Sequence, residues 1–427
     1  MTKASDTANI LKQPFTNTLG TSNYRAGVNA GDTIASGGNY NVTIGDEAGT
    51  ALTTGDGVVA IGFEALKTED ANGTTTAIGY QALKVQNAGA ESNNTAVGYQ
   101  AGLATNTGVF STFIGSKAGT ANTTGQNTFV GGQAGQGNTD GTNNLGIGVN
   151  ALQSNTTGDF SVAIGHFALQ TQNITNGAAG YNTAVGHNAG NDITTGTNNT
   201  IIGANAGDAM TTGASNTFVG ISAGGVGVVT GNNNVGVGNS AGNNITSGAS
   251  NTCIGNDSGL ALTTGGQNSC IGHEANAASS GANNSFTLGN GDITTLRCND
   301  TSISSLSDER DKTNIQDLPT EAGLVLINAL RPVTFHWDRR DWYEDGKSDG
   351  SKIKTDFDKD VANSGLRQGF IAQEVAAAVK GIKALEDDKI VLDDNADKFE
   401  FAPAKLITNL VKAVQELSAK VKALEDG

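Results

Sequence analysis

The sequence has few of the residues that build metal sites, disulfide frameworks and redox centres. It contains 3 Cys and 4 His in 427 residues, together with 4 Pro and 2 Trp. The cysteines, Cys253, Cys270 and Cys298, lack CxxC spacing, which excludes a zinc motif and a disulfide framework. We therefore expect no metal and no cofactor. No run of about 18 apolar residues occurs, so no membrane-spanning helix is expected, and the N-terminal stretch lacks the apolar run of a signal peptide.

Positive charge is also scarce, and its distribution divides the chain. Lys and Arg total 25 against 41 Asp and Glu, which gives a net charge of −16. Such a chain is not expected to bind nucleic acid, because phosphate binding needs clustered Lys and Arg. Residues 1–306 hold 7 Lys/Arg and 17 Asp/Glu but 53 of the 60 Gly, whereas residues 307–427 hold 18 Lys/Arg and 24 Asp/Glu. This change in composition predicts a domain boundary near residue 306.

A repeat of about 17 residues runs through the long, weakly charged segment. Twelve of its fourteen spacings are 16 to 18 residues, and the other two are 19 and 21. The residue three positions after the marker Gly is Ala in thirteen copies, and "RAGVNAG" (25–31) resembles a degraded first copy. The marker is a Gly that always follows an aliphatic residue: Gly45, Gly62, Gly79, Gly98, Gly115, Gly131, Gly148, Gly165, Gly186, Gly203, Gly220, Gly238, Gly255, Gly272 and Gly289.

This period predicts a mostly β protein with a repetitive parallel β-solenoid or β-roll shaft over 25–292. One coil suits two short strands and two turns, with the aliphatic residue before each Gly pointing inward. The Gly is expected to allow a conformation or close approach that a Cβ would block. The two long spacings predict loops at 84–94 and 170–182. Because each thin coil buries little apolar surface, we expect a trimeric shaft; low-complexity disorder is the alternative.

The repeat carries a first family resemblance. The stretch "SVAIG" (161–165) and its equivalents resemble the head repeats of trimeric autotransporter adhesins, which fold as left-handed parallel β-rolls. The resemblance covers residues 25–292, although the period is longer here. The signal peptide and membrane anchor of those adhesins are not expected in this sequence.

The C-terminal segment has the patterns of an ordinary globular domain. Residues 322–337 predict a helix that ends before Pro332 and then a strand, and residues 365–381 predict a strand followed by a helix. "KIVLDD" (389–394) and "KFEFA" (398–402) predict a hairpin, and 403–425 a closing helix. Its heptad-spaced apolar residues form a predicted trimer seam, with an ordinary core-facing helix as the alternative. The seam consists of Ile407, Leu410, Val414, Leu417, Val421 and Leu424.

Four motifs of this segment carry a second family resemblance. They are, in order, "SDERDKTNI" (307–315), "LINALRPVTFHW" (326–337), "GFIAQEV" (369–375) and "LVKAVQEL" (410–417). Together they resemble the C-terminal intramolecular chaperone of phage tail fibres and tailspikes, the endosialidase-type self-cleaving domain. The resemblance implies a small α+β domain over 307–427 that trimerises, nucleates folding and ends in a coiled-coil-like helix. "TLGNGDITTLRC" (287–298) resembles the adaptor before this domain, which is predicted at 293–306, and 1–24 are predicted to be an attachment segment.

The same resemblance implies a self-cleavage site. Ser307 corresponds to the family's nucleophile and Lys312 to its base, so the Ser307 hydroxyl would attack the carbonyl of Leu306 and the Leu306–Ser307 bond would break. Burial makes a lysine a better base, which would couple cleavage to assembly. Three neighbouring acidic residues oppose this by favouring a charged lysine. Two outcomes stay open: a single-turnover serine endopeptidase, or a silent and permanently attached chaperone.

Two further sets of side chains recur at fixed places in the repeat. His166, His187 and His273 directly follow the marker Gly; they would ring a metal if that position faced a trimer axis, but a variable solvent-facing position is the favoured interpretation. Cys253 and Cys270 occupy one slot in adjacent coils, which predicts stacked core thiols rather than a redox pair.

The leading hypothesis is a phage tail fibre. It would be a homotrimeric virion protein, made in the host cytoplasm, that binds a tail or baseplate protein through its N-terminus and a glycan or protein on the host surface. A bacterial trimeric surface adhesin is the alternative. An enzyme acting on surface polysaccharide is disfavoured, because the shaft offers only scattered acids and few aromatic residues.

Overall fold

Sixteen short parallel strands form one sheet in the order of the sequence. The computed structural model describes residues 20–71, 73–89, 91–225, 227–293, 312–336, 338, 365–383, 385, 390–392 and 400–426. The chain divides into two compact units, Met1–Arg297 and Cys298–Gly427. Strands β1–β16 of the first unit are Tyr24–Ala26, Val42–Ile44, Val59–Ile61, Thr76–Ile78, Thr95–Val97, Thr112–Ile114, Thr128–Val130, Leu145–Ile147, Val162–Ile164, Thr183–Val185, Thr200–Ile202, Thr217–Val219, Val235–Val237, Thr252–Ile254, Ser269–Ile271 and Phe286–Leu288.

The first unit is a parallel β-solenoid, as the repeat predicts. Each coil adds one three-residue strand, whereas two were expected. Within the described coils the remaining residues are turns and connecting segments, apart from the isolated parallel bridges Asp159–Ala179 and Met210–Val229. Strands stack in register, so that Thr95 of β5 pairs with Thr112 of β6. Left-handed turn residues such as Gln100 (φ 54°) and Asn188 (φ 55°) recur in the coils. The short Asn side chain tolerates this conformation, which explains the frequency of Asn at these turns.

Both the backbone conformation and the close approach of the next coil require Gly at the marker position, as the sequence predicts. Gly98 has φ +141°, a conformation that residues with a Cβ rarely adopt. A Cβ added there would lie 2.5 Å from the carbonyl oxygen of Gly115 and 2.7 Å from its carbonyl carbon. The same close approach recurs from coil to coil, because the marker residues stack directly on one another.

The inward-facing position was predicted wrongly. The aliphatic residue before the marker Gly is half-buried or exposed in every coil, and Ile114, Ile202 and Ile254 are each 40% exposed. The middle residue of the strand is buried instead, as Phe113 and Cys253 show. Successive side chains of a strand point to opposite faces, so a buried middle residue places both of its neighbours outside.

The solenoid core is filled by complementary volumes. Where the middle strand residue is the small Ala163, the buried Leu169 follows later in the coil. Where it is the large Phe129, Gly135 stands at the equivalent position, and a Cβ there would lie 2.5 Å from the Phe129 ring. In these coils a small residue at one position is matched by a large one at the other, as close packing requires; coils such as the one with Ala184 and Gly190 lack this match.

A ladder of buried asparagines runs along the solenoid beside this apolar core. The backbone N–H of Asn216 donates to Oδ1 of Asn199 over 2.9 Å, and Nδ2 of Asn199 donates to the Gly213 carbonyl over 2.9 Å. These bonds satisfy backbone groups that the short strands leave unpaired. The residues of this ladder, each four positions before a marker Gly, are Asn41, Asn94, Asn127, Asn144, Asn182, Asn199, Asn216, Asn234, Asn251 and Asn268.

The second unit is a small α+β fold, and its elements confirm those predicted. Its helices are α1 (Leu324–Ala329), α2 (Ala372–Val379) and α3 (Ile407–Glu425), with 3-10 turns at Thr320–Ala322 and Pro403–Leu406. Strand β17 (Val333–Phe335) pairs antiparallel with β18 (Arg367–Gly369), and β19 (Val391–Leu392) with β20 (Glu400–Phe401). A core cluster that includes Leu326, Val375 and Leu406 holds α1, α2 and the start of α3 together.

No helix in the described ranges is both long enough and apolar enough to cross a membrane.

Candidate assembly and self-processing site

The predicted self-cleavage pair is placed only in part. Leu306 and Ser307 lie outside the described residues, whereas Lys312 opens the described part of the second unit with an exposed side chain. The pairing of Ser307 with Lys312 therefore stays a prediction.

One side of the closing helix α3 anchors it to its own domain. Asn409 is buried and donates from Nδ2 to the Ala322 carbonyl over 2.9 Å. Two turns later, Glu416 accepts the backbone N–H of Leu324 over 2.9 Å and so caps the first turn of α1, whose N–H groups lack helical partners. A Cβ on Gly323 would lie 2.7 Å from this carboxylate, so the Gly makes room for the cap. Sequence patterns did not reveal either contact.

The other side of α3 is apolar and open. The predicted seam residues are between 44% exposed, at Val421, and 83% exposed, at Leu424. Val411, also on α3, is 52% exposed. Among the described residues of the same chain, none covers this face enough to bury it. Apolar side chains so exposed in a row along one helix are typical of a surface that packs against another helix.

An ion pair ties α2 to the segment that follows α1. Arg331 donates from Nε to Oε2 of Glu374 over 3.1 Å, and its Nη2 lies 2.5 Å from Oε1. This two-point geometry fits a guanidinium to a carboxylate. The hydrogen bonds to Arg331 lower the pKa of Glu374, and those to Glu374 raise the pKa of Arg331. Both residues are exposed, so the pair orients the two segments more than it stabilises them.

The two solenoid cysteines are core residues, as predicted. Cys253 of β14 and Cys270 of β15 are register partners, and both are buried, free thiols. The hydrogen bond with Cys270, together with burial, raises the pKa of Cys253. A buried protonated thiol is a poor nucleophile, so Cys253 has the character of a core-packing residue.

The repeat histidines are exposed, which agrees with a solvent-facing position. The rings of His166 and His187 stack with centroids 5.6 Å apart, whereas Nε2 of His273 lies 3.9 Å from Glu274. Within the described parts of the chain, no group of three or more His, Cys, Asp or Glu side chains is arranged to hold a metal ion.

Comparison with known families supports the position of the second unit. Residues 307–382 match the model of a family described as "Chaperone of endosialidase". The match begins at the predicted nucleophile and covers α1, β17, β18 and α2, while the hairpin and α3 lie beyond it. Neither the curated proteins nor the solved structures gave a match to the chain. The fold and the family match together define a β-solenoid chain with a C-terminal region similar to a folding chaperone.

Proposed function

We propose that this chain is a phage tail fibre whose C-terminal domain drives trimerisation and folding. The matched region at residues 307–382 carries this proposal, because a chaperone region beside a repetitive shaft fits the assembly of a fibre. In this arrangement residues 1–24 attach to a tail or baseplate protein, 25–292 form the shaft, 293–306 the adaptor and 307–427 the chaperone. The shaft then presents a surface to a host glycan or protein.

Two open apolar faces support the trimer. The first is the seam of α3, which offers six apolar side chains at heptad spacing to a partner helix. The second is the row of aliphatic residues before each marker Gly, which lies along the outside of the solenoid with Ile147 and Val237 each 37% exposed. Three copies packed along both faces would remove from water apolar surface that one copy leaves open.

The proposed cleavage needs only groups of this chain and one water. The Ser307 hydroxyl attacks the Leu306 carbonyl carbon, and Lys312 takes the hydroxyl proton. The peptide C–N bond breaks as the Ser307 amine takes up a proton, which leaves an ester between Leu306 and the Ser307 oxygen. Water hydrolyses this ester and frees the Leu306 carboxylate from the released chaperone. The intermediate is formed once per chain, so the reaction is single-turnover.

The trimer is tested by size-exclusion chromatography with light scattering on the purified full chain, followed by electron microscopy. We expect elongated particles with three times the mass of one chain, or three times the mass of residues 1–306 where the chaperone has been released. A compact monomer at micromolar concentration contradicts the proposed fibre.

Cleavage is tested separately by intact mass analysis after assembly. We expect two fragments that separate at Leu306–Ser307, and only full-length chain in Ser307→Ala and Lys312→Ala variants. Ser305→Ala is the matched control, since it changes a nearby hydroxyl outside the predicted pair and should cleave normally. Uncleaved wild-type trimers would show instead that the chaperone stays attached.

A further inference from the structure

Three aromatic rings form a continuous stack on the outside of the solenoid. Phe63, Tyr80 and Tyr99 each follow a marker Gly, in three consecutive coils. The Phe63 and Tyr80 centroids are 5.2 Å apart with planes 21° apart, and those of Tyr80 and Tyr99 are 5.4 Å apart with planes 15° apart. The three residues are 41%, 44% and 46% exposed. Most other coils hold small or polar residues such as Ser116 and Asn239 at this position, and two hold the aliphatic Val149 and Ile221, so the stack is a local feature of the shaft.

A second row of polar side chains runs beside the rings and is held in place by its own bonds. Nε2 of Gln81 donates to Oε2 of Glu64 over 2.8 Å, and Nε2 of Gln100 donates to Oε1 of Gln81 over 3.0 Å. Lys84 lies 2.7 Å from the same Glu64 carboxylate, and Lys67 lies 2.8 Å from its other oxygen. The groups are thus ordered before any ligand arrives, which reduces the entropy lost on binding.

The charged side chains beside the aromatic row balance one another. Lys67 also contacts Glu47 at 2.5 Å, so two ammonium groups face two carboxylates. Lys67 and Lys84 are two of only four Lys or Arg residues between positions 20 and 293. Because both are already paired, the surface offers hydrogen-bonding groups without a net charge to attract an ion.

We propose that the aromatic row of Phe63, Tyr80 and Tyr99 and the polar row of Gln81 and Gln100, which starts from the buried Glu64, form a binding site for a neutral glycan chain. Tyr80 has a neighbouring ring on each face, so the apolar C–H groups of a sugar would contact the exposed edges of the stack, while amide and ammonium groups bond its hydroxyls. The two rows repeat from coil to coil, which suits a linear ligand that itself repeats. The net charge of −16 disfavours a polyanion. A protein hot spot typically has an apolar centre enclosed by a polar rim, whereas here the two rows lie side by side.

This inference rests on the proposed fibre and specifies what its shaft contacts. The test is binding of the full-length chain to immobilised neutral polysaccharides (dextran, mannan, galactan and a β-glucan) with polygalacturonate as the acidic comparison. We expect binding to at least one neutral chain and none to polygalacturonate. Tyr80→Ser and Tyr99→Ser should each weaken this binding about tenfold, the size of one lost aromatic contact.

Phe110→Ser is the matched control. Phe110 is 61% exposed on the same solenoid but lies outside the stack, so its loss should leave binding unchanged. The inference is overturned if no neutral polysaccharide binds, if polygalacturonate binds better, or if the control loses as much affinity as Tyr80→Ser. It is also overturned if Tyr80→Ser dissociates the trimer, because the row would then belong to the interface between copies. A trimeric fibre without glycan binding refutes this site alone, whereas a monomer that binds glycan refutes the fibre alone.

Discussion

Replacing Asn199 with Ala should open the solenoid locally. Its side chain accepts the N–H of Asn216 and donates to the carbonyl of Gly213, each over 2.9 Å. Ala removes both partners inside a buried layer, and each orphaned backbone group costs about 1–3 kcal/mol. The backbone N–H of Asn199 still donates to Oδ1 of Asn182 in this variant. Two backbone groups therefore lose their partners, and the local free energy of unfolding should fall by about 2–6 kcal/mol. Coils contact mainly their neighbours, so the damage should remain local.

Hydrogen exchange followed by mass spectrometry measures this effect in the intact chain. Peptides that cover β11 and β12 should exchange at least about tenfold faster in Asn199→Ala, while peptides from distant coils exchange as in the wild type. Asn256→Ala is the control, because this exposed side chain makes one long bond of 3.3 Å to Asn239. Exchange within about twofold of the wild type around Asn216 would refute the role given to the ladder.

Three other substitutions probe the remaining features. Gly98→Ala combines a left-handed backbone with a 2.5 Å clash against Gly115, so the melting temperature of the chain should fall by several degrees or the chain should fail to fold. Val414→Asp places a charge in the α3 seam and should convert trimers to monomers in light scattering; Lys420→Asp, outside the seam, should not. The hydrogen bonds from Lys67, Lys84 and Gln81 lower the pKa of Glu64 from 4.5 to about 2. Ionised Glu64 therefore stabilises the fold above about pH 4.5 and loses this effect as the pH falls toward 2. Glu64→Gln should flatten the dependence of melting temperature on pH in that window, and an unchanged slope contradicts this assignment.

The sequence was sufficient to predict the coil, but not which residues of each strand are buried and which are exposed. A Gly at regular spacing carries a backbone requirement that is independent of what surrounds it, and Gly98 satisfies it as expected. The face of a three-residue strand is different, because both Phe113 and Ile114 are apolar and either can be buried. The Ile114 position is aliphatic in every coil, which favoured the prediction that it is buried. In some coils the more informative signal was the match of a large with a small residue, as with Phe129 and Gly135, because such matching is a property of packed cores.

At the assembly site, too, only part of the arrangement could be predicted from the sequence. Heptad spacing identified the apolar side of α3, because that pattern depends on the period of the helix alone. Glu416 and Asn409, which tie α3 to its own domain, contact residues about 90 positions earlier in the chain. Contacts so distant leave no local pattern. The aromatic row was visible only as a variable position, because stacking across coils needs the register of the solenoid.

Because one strand per coil stacks in register, the length of the solenoid is set by its number of coils. Loss or duplication of a whole coil, such as residues 200–216, joins two equivalent positions and keeps the register of the repeat, so the shaft changes in length by about 4.8 Å. Loss of a few residues shifts the Gly, the core residue and the Asn to the wrong faces. Insertions or deletions of whole coils can therefore lengthen or shorten the shaft in whole steps. The length of the shaft can then change in evolution through the number of coils, independently of the residues that each coil exposes.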